Sequence, residues 1–206
     1  MEQATLFAST FVGLGVTSLA SAAAYDSVRP NIPYDSVRPN IPNSRQTTWD
    51  YWEAFSAIVL GLVFLTAGRS HFTVPEAFRA IYPPPGTWGI WYLPGSAAFH
   101  VAWTGVAELC GGAGLLVGGV LRGLALPQSR PLLPFAARAV ALLVVCVTPA
   151  NFYLFSHGAI MPGIVDDQLP MVGHAVRFVA QASVLSVLLT LSEVLRQNLN
   201  AEAAEE

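Results

Sequence analysis

After residue 48 the pattern of apolar and polar positions resolves into four long apolar segments. They are Trp49–Gly68, about Ala97–Val120, about Phe135–Phe155 and about Met171–Leu191. Each is close to the roughly 20 residues that cross a bilayer as a helix. Lipid offers no hydrogen bonds, so backbone in such segments must pair within itself, which predicts helices. Aromatic residues gather at the ends: Trp49, Tyr51 and Trp52 before the first segment, and Trp88, Trp91 and Tyr92 before the second. Rings at headgroup depth give this belt. A fifth, weaker apolar stretch, Ala4–Ala24, reads as a membrane helix or a targeting segment. Its Ala20-Ser21-Ala22 resembles a small-residue cleavage site, but no arginine leads it.

Polar interruptions set the domain plan: an N-terminal apolar segment (1–24), a proline-rich linker (25–48), a four-helix membrane domain (49–192) and an acidic C-terminal tail (193–206). The linker holds a perfect duplication, YDSVRPNIP at Tyr25–Pro33 and again at Tyr34–Pro42. Its prolines oppose helix. After the first span, Thr73-Val74-Pro75-Glu76 matches a capping box and predicts a short helix over 74–81. With Phe78 and Ile81 on one face, that helix is expected to lie flat in the interface.

Polar residues inside spans are costly and face the bundle interior. The second segment carries His100, Thr104 and Glu108 on one stripe, and the fourth carries His174, Arg177 and Gln181 on another. Asn151 follows Pro149, whose missing N–H frees a carbonyl one turn back. His71 follows the first segment. The candidate cluster is therefore His71, His100, Glu108, Asn151, His174, Arg177 and Gln181, as a ligand site or as a structural polar network. Glu108, Arg177 and Gln181 are expected to converge between the second and fourth helices. No catalytic residue can be assigned from this set. The scattered histidines give no metal-binding spacing. Gly114 and Gly118 form a G-x-x-x-G that predicts tight packing, within the bundle or in a homodimer.

Composition agrees with the pattern. The chain is 53% hydrophobic and 11% charged, against about 25% charged in soluble domains. A net charge of −3 and the lack of a basic face exclude a nucleic-acid partner. All ten basic residues are arginines, which excludes a lysine Schiff base and a lysine-bearing P-loop. Arginine bias puts Arg45, Arg122, Arg130, Arg138 and Arg196 on the cytoplasmic side, and Arg69 and Arg79 on the other. Cys110 and Cys146 sit inside apolar runs and read as small core residues.

Five features taken together, GRSHFTVPEAFRAIYPP (Gly68–Pro84), TGVAELCGGAGLL (Thr104–Leu116), Arg122, Pro149-Ala150-Asn151, and Arg177 with Gln181, carry a likeness. The chain resembles the DoxX-like family of small four-helix membrane proteins over about residues 50–192. The resemblance implies an all-α, polytopic four-helix bundle with both ends cytoplasmic. It also implies that His71, Glu76, Glu108, Asn151, Arg177 and Gln181 occupy family motif positions. Some relatives serve quinone-linked thiosulfate oxidation, and more distant similar folds assist assembly of other membrane proteins.

The expectation is an integral, multi-pass membrane protein embedded in lipid, acting as an accessory or assembly subunit beside a membrane-protein partner. It leans away from an enzyme, since no self-sufficient catalytic constellation is present. The alternative is a quinone-linked redox subunit with quinone as cofactor in a polar pocket between helices. A small-solute carrier is the weaker third reading, because no inverted repeat is visible.

Overall fold

The computed structural model describes residues 2–28 and 48–205, and it is all helix apart from connecting turns and one isolated β-bridge. The helices are α1 (Glu2–Val28), α2 (Thr48–Thr73), α3 (Pro75–Ala80), α4 (Ala97–Gly123), α5 (Ser129–Ser156) and α6 (Met171–Glu205). Among the described residues five helices, all but α3, are long and apolar enough to cross a membrane. The chain is an all-α, polytopic, integral membrane bundle.

The fifth long helix is α1, which covers the N-terminal stretch expected as a membrane helix or targeting segment. α1 packs along α6, where Ser18 Oγ donates to the Ala182 carbonyl (3.3 Å). At its beginning Phe7 stacks on Trp88 (4.6 Å) and meets Phe152 edge-on (5.1 Å). The helix runs on through Val28, so the first four residues of the duplication are helical and not linker. The rest of the duplication lies outside the described residues.

Glycines set the closest seam, between antiparallel α2 and α4. Ala54 lies opposite Gly119, Gly61 opposite Gly112 and Gly68 opposite Gly105. Glycines spaced by seven on both helices keep returning to the same face, so the two backbones approach along the whole seam. Gly114 and Gly118 face α5 instead, against Ala136 and Leu133. The G-x-x-x-G is thus spent within the bundle.

Both ends of the seam carry charge. Arg122 reaches Glu53 (2.6 Å) and Asp50 (2.9 Å), all three buried. At the other end His71 meets Glu108. Glu53 and His71 are five turns apart, about 27 Å at 1.5 Å per residue. That nearly matches the roughly 30 Å hydrocarbon thickness. The two charged groups therefore bracket the apolar seam at its two ends.

Several boundaries differ from the sequence reading. α5 begins at Ser129 because Pro131 falls in its first turn, where no N–H is required. α6 continues to Glu205, so the acidic tail is helical backbone. The capping box does not form. Thr73 remains the last residue of α2, Val74 stands at the cap without a side-chain bond, and Glu76 pairs with Arg79 (2.6 Å). α3 is not a free interfacial helix either. Ala77 and Ile81 are buried, and Phe78 stacks on His71 (3.8 Å between ring centres). The apolar face of α3 closes over the end of the bundle. Cys110 and Cys146 are exposed, contrary to the core reading, and Cys146 lines a cavity between the helices.

Candidate functional site

The polar side chains near the α3 end form two groups rather than one. The first belongs to α2 and α4. His71 Nδ1–H donates to the Val101 carbonyl (2.8 Å). A carbonyl can only accept, so this bond fixes the proton on Nδ1 and turns Nε2 toward Glu108 Oε2 at 3.4 Å. One proton held by either Nε2 or Oε2 leaves the pair net neutral, a form suited to low dielectric. Thr104 Oγ1 donates to the His100 carbonyl (2.7 Å) and lies 3.3 Å from His71 Nδ1. The close approach at Gly105 allows this arrangement, since a Cβ there would lie 2.7 Å from that of His71.

The second group links α5 and α6. Arg177 Nη2 donates to Asn151 Oδ1 (2.6 Å). Asn151 Nδ2 donates to Gln181 Oε1 (3.1 Å), and Gln181 Nε2 to Thr148 Oγ1 (2.6 Å). Thr148 Oγ1 in turn donates to the Val144 carbonyl one turn back (2.9 Å). The expected convergence is therefore corrected. Arg177 and Gln181 do meet through Asn151, but the charged partner of Glu108 is His71. The reason is register: the Glu108 stripe of α4 faces α2 across the glycine seam, while the Arg177 stripe of α6 faces α5.

Both groups line one cavity of about 370 Å³ between α2, α4, α5 and α6, roofed by α3 and the following loop. Its wall includes His71, Glu108, Asn151 and Arg177, with Tyr82, Trp91 and Trp103. That volume lies within the roughly 300–1,000 Å³ of small-molecule sites. His100 also lines it, yet its ring is committed. Nδ1 accepts from Trp103 Nε1 (3.0 Å), so Nε2–H donates to the Pro94 carbonyl (2.8 Å). Tyr82 stacks on the same ring (5.1 Å). His100 thus braces the cavity rim. His174 lies elsewhere, edge-on to Phe155 (5.1 Å), in a second cavity beneath α1.

Three buried polar atoms of the first cavity's residues make no hydrogen bond of good geometry: Glu108 Oε2, Tyr82 Oη and Trp91 Nε1. Buried polar atoms are nearly always satisfied. Burial pushes the Tyr82 phenol above its ordinary range, against a smaller opposing effect of the neighbouring Trp91 side chain, and so keeps it an O–H donor. Tyr82 falls in a proline-rich connection that reads as loop, and Trp91 reads from the sequence as an interfacial belt residue rather than a cavity wall. Trp103 was missed because an aromatic within a span reads as lipid-facing. Asp50 and Glu53 escaped notice at the start of α2, though two acids one turn apart beside a membrane segment are a usable signal.

No family model, curated protein or solved structure matches the chain.

Proposed function

We propose that this protein is a DoxX-like accessory subunit of the membrane whose first cavity holds the headgroup of a quinone. The observation that carries the reading is that Glu108 Oε2, beyond its 3.4 Å approach to His71, and Tyr82 Oη and Trp91 Nε1 make no hydrogen bond of good geometry, although all three belong to residues of one cavity wall. A quinone ring is flat and apolar with a hydrogen-bond acceptor at each end. The Tyr82 O–H and Trp91 N–H are donors for one carbonyl, and the His71–Glu108 pair, which holds a proton, is a donor for the other. Phe78 and Trp103 supply apolar walls. The cavity's position between membrane helices suits a ligand that arrives through lipid.

A bound quinone supplies electron and proton carriage within the bilayer. The residues of this chain orient the ring, exclude water beneath α3 and hold a proton at His71 Nε2 or Glu108 Oε2.

The test is purification from native membranes followed by solvent extraction and chromatography of the extract. Stoichiometric quinone is expected with the wild-type chain. Tyr82→Phe and Glu108→Gln should each lower retention by about tenfold, the effect of one lost hydrogen bond to a ligand. A quinone-free preparation that instead carries a second membrane protein would put the assembly-subunit role first and leave the cavity groups as structural.

A further inference from the structure

The second cavity has a different chemistry. It measures about 400 Å³ and lies between α1, α5 and α6. Asn151 and Arg177 line both cavities, so the Arg177–Asn151 bond is a shared wall. Beyond that bond the Arg177 guanidinium makes no hydrogen bond, and among the described residues no carboxylate lies within ion-pair distance of it. Arg177 is six residues inside the start of α6, about 9 Å along the helix. A cation at that depth is costly without a counter-charge. Its bond to Asn151 also holds it toward α5 and prevents it from reaching freely outward to the interface.

The first cavity is a poor source of that counter-charge for an external anion, because Glu108 lines it. The second has no acidic residue in its wall. It offers Arg177, His174 and the Ser9 and Thr10 hydroxyls among the rings of Phe152, Phe155 and Phe178. One cationic fork beside an aromatic, apolar cleft that faces the bilayer fits an amphiphile with an anionic head. A guanidinium matches phosphate oxygens in paired, charge-assisted hydrogen bonds.

We propose that the α1–α5–α6 cavity binds one anionic phospholipid, with its phosphate on Arg177 near Phe152 and Phe155 and its acyl chains running deeper into the bilayer along α1 and α6. α1 then acts as the clasp that holds the lipid against α6. The proposal does not rest on the quinone reading, since it concerns another ligand in a cavity that shares only the Arg177–Asn151 wall with the first.

Gly13 of α1 provides a clean block. It lines the cavity, and nothing lies within 4 Å of the place its Cβ would take. Gly13→Leu should fill the space while improving helix propensity, so the fold is expected to persist. The full chain in detergent would be given dioleoyl phosphatidylglycerol, dioleoyl phosphatidylcholine or inorganic phosphate. Native mass spectrometry reads retained lipid, and thermal unfolding reads the midpoint. The wild type should retain one phosphatidylglycerol and gain stability from it. Phosphatidylcholine and inorganic phosphate should do neither. Gly13→Leu should weaken retention by about tenfold or more. Arg177→Gln, which keeps an amide donor for Asn151, should make the two lipids equivalent. Equal effects of both lipids on the wild type, an unchanged lipid adduct in folded Gly13→Leu, or stabilisation by inorganic phosphate alone would each overturn the proposal.

Discussion

Gly61 and Gly112 meet backbone to backbone. A Cβ on Gly61 would lie 2.8 Å from the Gly112 carbonyl oxygen, and one on Gly112 would lie 2.9 Å from that of Gly61. No flexible side chain stands there to give way. Gly112→Ala must therefore part α2 from α4, and overpacking of this kind costs about 1–3 kcal/mol. Gly15→Ala is the control, because its Cβ would meet nothing within 4 Å. Thermal unfolding in detergent should show a clear loss for Gly112→Ala and none for Gly15→Ala.

The Arg122 end of the same seam should be more sensitive still. Glu53 is 1% exposed and Arg122 is 4% exposed. Removing one partner of such a buried pair leaves a charge without its match, at a cost of about 3–5 kcal/mol. Arg122→Leu should therefore unfold far more readily than Arg69→Leu, whose side chain is exposed. Equal midpoints for the two variants would contradict a structural role for the Arg122 cluster.

The two polar groups of the first cavity predict a particular coupling pattern. His71 and Glu108 form one unit, and Arg177 with Asn151 another. Double-mutant cycles on stability should give clear interaction energies for His71/Glu108 and for Asn151/Arg177. The Glu108/Arg177 cycle should be additive within about 0.5 kcal/mol. Strong coupling of Glu108 to Arg177 would restore a single merged cluster.

Much of this architecture is legible in the sequence, for physical reasons that differ by element. α4 and α6 begin where expected because Ser96 caps α4, accepting from the Phe99 N–H (3.1 Å), and Pro170 precedes α6. The polar stripes on both helices are legible because an intramembrane charge must face inward. Which stripe meets which helix is not legible, since that depends on the glycine register, and the spacing of seven shared by α2 and α4 passed unnoticed. The G-x-x-x-G on α4 drew attention to Gly114 and Gly118, which touch α5. Roofing of the cavity by α3 was hidden as well. Phe78 looks like an interfacial anchor until His71 is seen beneath it.

The arginine bias predicts that the turn between α4 and α5 is cytoplasmic. In a chain lacking Cys110 and Cys146, Gln128→Cys and Ile90→Cys both place a thiol at an exposed position. An impermeant maleimide applied to intact cells should label position 90 and spare position 128. The reverse pattern would invert the topology.

The cavity's occupant is the central matter, and its location can be measured directly. A short-chain quinone carrying bromine on the ring would be bound to the purified protein and located by anomalous scattering in crystals. The account predicts one bromine site inside the cavity bounded by His71, Tyr82, Trp91 and Glu108, lost in Glu108→Gln with Tyr82→Phe. Bromine found only on the outer helix faces, or none at a concentration that saturates known quinone sites, would contradict it.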